Sequence, residues 1–370
     1  MPLFGSVYFL VFIILVTFSL ITIDKRGKKL TNICLLFSFL ILTLLAGLRQ
    51  ASPDQKTYAL MFKNAPSLLD YISPGSNYDS SNVEVGFIFL LSVIKAVTSN
   101  ETVMFFSLAS IVLGIVVYAS KRLSPYPLLS VLIYFSWFYY SNLGALRHAL
   151  ISSLLLLIIV FLVKNKSVKA FLISIISFFI HKIGVFLPIL YLILKFDIKP
   201  ILYFVLLTSS IIVAIYGGLF LWIFDLLRDF LPTNWHDKLD SYIYFTENGG
   251  FDTKFGGKED LIKGSSIKQL SIIIVALLYF KVLNFKFNKS FNIILGLYIS
   301  SIILMFLFVD FKIVTDRVSH YLAITEILLL PMILSIVESR QRIVILLAIF
   351  CFMLFQIYLQ YPNQLYLYKL

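Results

Sequence analysis

Three arginines, Arg49, Arg147 and Arg317, fall at the edges of apolar runs with an acid, a histidine or a tyrosine within a few residues. In "LLAGLRQASPDQKTY" (Leu44–Tyr58) Arg49 ends such a run. Asp54 and Tyr58 follow, spaced i, i+4, so a helix starting after Pro53 places both on one face. In "SNLGALRHALI" (Ser141–Ile151) Arg147 and His148 fall in the first turns of an apolar run, where a cation opposes the helix dipole. "SFFIHKIG" (Ser177–Gly184) is a sharp His-Lys turn between two short apolar runs, which places His181 below the level that a full-length span would reach. Glu84 heads a further short apolar segment. "VDFKIVTDRVSHYLAITE" (Val309–Glu326) sets Arg317 and Tyr321 at i, i+4 and carries Glu326 into an apolar run. Arginine stays charged and offers planar, paired donors, so several arginines around an apolar cavity suit a phosphate-bearing ligand. Each residue also has a plainer reading. Arg49 and Arg147 can anchor helix ends at headgroups, His181 can be structural, and Glu326 can fix helix contacts. There is no D-x-D, H-E-x-x-H, Walker loop or Cys/His cluster, so no metal and no cofactor are expected.

The elements that position these residues follow from composition. Of 370 residues 60% are hydrophobic and 14% charged, with a mean hydropathy of +0.94. Apolar runs of about 20 residues recur, each enough to cross a bilayer as a helix. The expectation is an all-α, polytopic membrane protein, one membrane domain over residues 1–370. The runs are Leu3–Ile23, Leu30–Leu48, Val103–Ser120, Pro127–Tyr140, Leu143–Val163, Val168–Ile180, Ile183–Leu194, Pro200–Phe224, Ile267–Lys281, Phe291–Val309, Val318–Val337 and Ile343–Tyr358. They make about twelve spans. No Lys or Arg precedes Leu3, so the first run is expected to be retained as a span. The net charge of +12 is explained by short basic loops that stay in the cytoplasm, with no call for nucleic acid. Cys34 and Cys351 lie in apolar runs, where neither a disulfide nor a metal site is expected.

Segment 84–98 decides the topology. If it does not cross, the strongest basic loops fall on one side, so it is expected to be re-entrant or interfacial, with both chain ends outside. The long loops 49–83 and 225–266 then share the non-cytoplasmic face with Arg147, His148, His181 and Arg317. In the second loop Trp235, Leu239 and Tyr242 form a stripe suited to the membrane interface. The glycine pairs of Glu247–Asp260 suit a mobile lid.

At these residues the chain resembles the EpsG-like branch of Wzy-type polysaccharide polymerases. The resemblance rests on "LRQASPDQKTY", "EVGFIF" (Glu84, Gly86, Phe87), "LRHALI", "IHKIG" and "DRVSHY", in that order. The chain departs from that pattern in lacking a glycine before Asp54, in having His148 where glutamine is usual, and at Lys182–Gly184. The resemblance implies a GT-C-like helical arrangement in the cytoplasmic (inner) membrane, with an active site facing the periplasm or cell exterior. It implies that a growing glycan leaves its undecaprenyl pyrophosphate and joins a sugar hydroxyl of an incoming lipid-linked repeat unit. Arg49, Arg147 and Arg317 would then bind pyrophosphate. His181, Asp54, Glu84 and His148 are the candidate bases, the first two ahead of the others. Tyr58, Tyr321 and Trp235 would contact sugars. Partners would be the lipid-linked oligosaccharides, the bilayer, and a chain-length regulator and flippase of the same pathway.

Other functions share parts of this pattern. An O-antigen ligase has the same lipid donor and topology, and differs in its acceptor. A flippase or transporter would be expected to carry charges throughout its cavity and to show two similar halves. A membrane O-acyltransferase would be expected to have a histidine eleven positions after Arg49, where this chain has Leu60.

Overall fold

The computed structural model describes residues 6–23, 27–49, 52, 54–72, 83–193, 200–219, 222–223, 226, 264–310 and 312–364. Its described elements are helical, as the apolar runs require. The chain divides into two compact units, one of Met1–Lys195 with Glu326–Leu370, the other of Phe196–Thr325.

The first unit contains α1 (Val7–Ile23), α2 (Lys28–Gly47), α3 (Gln55–Asn64), α4 (Leu68–Ile72), α5 (Val85–Lys95), α6 (Glu101–Leu123), α7 (Pro127–Tyr134), α8 (Tyr140–Gly144), α9 (Leu146–Val163), α10 (Ser167–Ile180) and α11 (Phe186–Ile193). The second contains α12 (Pro200–Ile215), α13 (Gly264–Leu278), α14 (Phe280–Phe287), α15 (Lys289–Leu307) and α16 (Lys312–Ala323). The chain then completes the first unit with α17 (Glu326–Leu334) and α18 (Ser339–Gln364).

Among the described residues six helices are long and apolar enough to cross a membrane: Lys28–Gly47, Glu101–Leu123, Leu146–Val163, Lys289–Leu307, Arg317–Leu334 and Ser339–Gln360. α13 and α14 meet at a 78° bend and together pass the same test. Shorter apolar helices include Val7–Ile23, Val85–Lys95 and Ser167–Ile180. The protein is therefore a helical membrane protein. α5 has 11 residues, about 16 Å at the usual helical rise, too short to cross.

α6 shows how local sequence sets a helix. Asn100 caps its start, the side-chain oxygen accepting from the Thr102 and Val103 amides at 2.8 and 3.4 Å. Glu101 lies in its first turn and Lys121 and Arg122 in its last, each charge complementing the helix dipole. In the first unit α2 and α9 both lie against α6, and α9 lies against α10. Between α7 and α8 the residues Phe135–Tyr139 form a π-helical turn, a feature that displaces side chains from the regular helical register. There the buried Tyr139 hydroxyl donates to the Leu42 carbonyl of α2 at 2.7 Å, and Asn142 donates to the Tyr134 hydroxyl at 3.1 Å. In the second unit α15 is the central helix, with α12, α13, α14 and α16 against it.

Candidate active site

The site lies in the first unit, where the starts of α5 and α9, the end of α10 and the middle of α3 come together. Glu84 occupies the N-cap position of α5 without capping it. Its carboxylate turns elsewhere. Oε2 accepts from Arg147 Nη1 at 2.5 Å, and Oε1 accepts from the Lys182 backbone amide at 3.0 Å. The pair is largely enclosed, with side chains 21% (Arg147) and 10% (Glu84) exposed. Burial works against the Glu84 charge. The Arg147 guanidinium, the Lys182 amide and His181 outweigh it and hold the carboxyl below the usual glutamate range. The odd cation in the first turn of α9 thus has a carboxylate partner from another helix.

Two glycines make the meeting possible. A Cβ on Gly86 would stand 2.8 Å from the Phe179 carbonyl oxygen, so only glycine lets α5 lie this close to the end of α10. A Cβ on Gly184 would stand 2.2 Å from the Ser177 carbonyl oxygen, which keeps the His-Lys turn tight. Within that turn Ile183 N–H donates to His181 Nδ1 at 3.1 Å. Nδ1 is then the acceptor, and the neutral ring carries its proton on Nε2.

Tyr58 closes one side. It is buried, its hydroxyl accepts from the Arg147 amide at 3.5 Å, and its ring meets Phe87 edge-on at 5.9 Å. Burial raises its phenol pKa, with Arg147 pulling in the other direction. α3 is held at both ends. Gln55 donates to the Arg49 carbonyl at 3.1 Å. Lys95, at the end of α5, donates to the Lys63 and Ala65 carbonyls at 2.8 and 2.5 Å. A cation at the C-terminus of α3 also complements its dipole.

Arg49 is 3% exposed, with Nη1 donating to the Ala46 carbonyl at 2.7 Å. Its guanidinium lies 4.3 Å from the Phe105 ring centroid of α6, a cation–π contact. It is thus an interior arginine, at the opposite end of α2 from Lys28 and Lys29. Asp54 precedes α3 and is exposed, whereas Tyr58, four residues on, is buried. His148 is half-buried in the first turn of α9. Arg317 and Tyr321 belong to the second unit on α16, Arg317 exposed and Tyr321 fully buried. Trp235, its stripe and the Glu247–Asp260 segment lie outside the described residues. Among the described residues no three His, Cys, Asp or Glu side chains stand together as metal ligands would.

The segments brought together, "KTY", "EVGF", "LRH" and "IHKIG", belong to four of the five motifs that carried the resemblance; the fifth, "DRVSHY", is on α16 in the second unit. The EpsG family model matches residues 32–370. The chain belongs to the EpsG family. No curated protein and no solved structure matches it. As an EpsG-family member it is a membrane protein with a polysaccharide-polymerase-like role.

Sequence reasoning gave no part to the Lys182 amide, Phe105, Gln55 or Lys95. The first is a backbone group and carries no residue-type signal. Lys95 reads as one more basic helix end until α3 is seen against it.

Proposed function

We propose that this protein polymerises undecaprenyl-pyrophosphate-linked oligosaccharide repeat units on the outer face of the cytoplasmic membrane, by glycosyl transfer that needs no metal. The observation that carries this reading is the joining of Arg147, Glu84 and the Lys182 amide beside His181 and Tyr58. It supplies fixed, partly desolvated donors for an anionic leaving group next to a carboxylate that can take a proton.

In the proposed reaction the acceptor sugar hydroxyl oxygen bonds to the anomeric carbon of the growing chain. The bond from that carbon to the pyrophosphate oxygen breaks, and the electron pair leaves with the pyrophosphate. The hydroxyl proton passes to a base. Arg147 and Arg49 meet the developing phosphate charge, and Arg317 keeps the phosphate role that the resemblance gives it. Among the four candidate bases Glu84 has the geometry best supported, because His181 Nδ1 is engaged by Ile183 N–H and Nε2 is then a donor. His181 fits better as a hydrogen-bond donor to phosphate or sugar. Asp54 and His148 remain as alternative bases. Tyr58 lines the sugar side, with Tyr321 and Trp235 as further sugar contacts. The about twelve-span topology and a GT-C-like arrangement belong to the same proposal, and place the site on the face where the lipid-linked units are displayed.

The test is reconstitution. Purified protein in liposomes is given lipid-linked repeat units, and glycan length and free polyprenyl pyrophosphate are followed together. Chain growth with one pyrophosphate carrier released per unit added supports the proposal. Release of carrier without chain growth, or neither, refutes it.

A further inference from the structure

The Glu84 carboxylate sits in what is otherwise an anion seat. Two donors on separate segments, Arg147 Nη1 and the Lys182 amide, converge on its two oxygens. Arg147 Nε is buried and has no hydrogen-bond partner among the described residues, so the guanidinium holds a further donor in reserve. A carboxylate at an N-cap position normally accepts from its own helix, yet this one makes no such bond. No capping hydrogen bond to α5 therefore sets the position of the Glu84 carboxylate. What holds it is the pair of donors, and those are the donors that recognise phosphate oxygens.

We infer that Glu84 is an internal stand-in for a phosphate group of the lipid donor, and that donor binding displaces it from Arg147 and the Lys182 amide. This rests on the reading of the site as a pyrophosphate contact. Displacement couples two events. The seat is filled by one anion at a time, because two anions on the same donors repel. The carboxylate that leaves is freed beside the newly bound phosphate, where its charge is disfavoured and a proton is more readily accepted. The empty enzyme thus keeps its carboxylate neutralised by Arg147, and the base is set free only when the donor is seated. The carboxylate also competes with the ligand, so it lowers affinity as the cost of that ordering.

The experiment uses the full chain in lipid nanodiscs with inorganic pyrophosphate as the probe, followed by calorimetry at neutral pH. Glu84→Gln keeps an acceptor for the Lys182 amide and removes the competing charge. It is expected to bind pyrophosphate about tenfold or more tightly than wild type. Arg147→Gln is expected to lose binding. Equal or weaker binding by Glu84→Gln overturns the inference. A second measurement needs no variant. Infrared difference spectra of wild-type protein carrying isotope-labelled glutamate are expected to show a shifted carboxylate stretch when pyrophosphate saturates the site, and an unchanged carboxylate region overturns the displacement. Both readouts are of binding. A protein that shows the displacement but makes no polymer refutes the polymerase reading and leaves this inference standing. A polymerase whose Glu84→Gln form gains no affinity does the reverse.

Discussion

Gly86 of α5 lies against the Phe179 carbonyl at the end of α10, so close that a methyl group on it would stand 2.8 Å from that oxygen. The contact sets how near Glu84, two residues before Gly86, comes to Lys182, three residues after Phe179. Gly86→Ala removes no polar group and forces the two helices apart. Overpacking of this kind costs about 1–3 kcal/mol. The variant is expected to melt at a lower temperature in nanodiscs and to make markedly shorter glycan. Wild-type glycan length at equal expression would show that the spacing of α5 and α10 does not matter to the reaction.

Arg147 gives two donors in a fixed plane, and lysine gives one point charge. Arg147→Lys retains the charge that pairs with Glu84 and loses the fork. If Arg147 meets the leaving pyrophosphate, transfer is expected to fall by about 10²-fold, the usual effect of removing one such donor. Arg317→Lys is expected to cause a comparable fall if Arg317 also grips phosphate. The measurement is glycan chain length with protein level controlled. Unchanged chain length in either variant removes that arginine from the phosphate site.

Glu84 titrates below the usual glutamate range in the folded protein because the Arg147 guanidinium, the Lys182 amide and His181 overcome its burial. In the unfolded chain it returns to the ordinary glutamate range. The folded form therefore binds the proton less readily than the unfolded form. The stabilisation is fully present above the unfolded value and is lost as pH falls through the folded one. Melting temperatures of wild type and Glu84→Gln are expected to converge as pH is lowered from 7 to below about 4. A gap that stays constant over that range would show that the pair contributes no pH-dependent stability.

Topology has its own test. Ser167 at the start of α10 and Ser265 in α13 are both exposed, and the about twelve-span reading puts them on opposite faces of the membrane. Single cysteines at these positions, with Cys34 and Cys351 replaced by serine, are expected to react from opposite sides with a membrane-impermeant maleimide. Reaction of both from the same side would contradict the arrangement.

Much of the architecture was legible in the apolar runs, because a bilayer admits only helices and closed barrels, and long continuous apolar runs lack the alternation of barrel strands. The shortness of α5 was legible in the same way, from the count of apolar residues after Glu84. The 78° bend between α13 and α14 and the π-helical turn at Phe135–Tyr139 were not. Both are local departures within runs that stay apolar throughout. At the site, Arg147 stood out as a cation in the wrong turn of a helix. Its partner did not, since Glu84 is 63 residues away, at the start of a different helix. Asp54 and Tyr58 were read as one face of α3, but one is exposed and the other buried. Spacing along a helix gives direction; depth depends on what covers it, here Phe87 and Arg147.

The central claim is that this chain joins repeat units while they are carried on polyprenyl pyrophosphate. Its most direct test is deletion of the gene, followed by analysis of surface and carrier-linked glycan. The account predicts that long chains disappear and that glycan of a single repeat unit remains, displayed on the outer side of the membrane. Full-length polymer persisting unchanged in the deletion strain would contradict it.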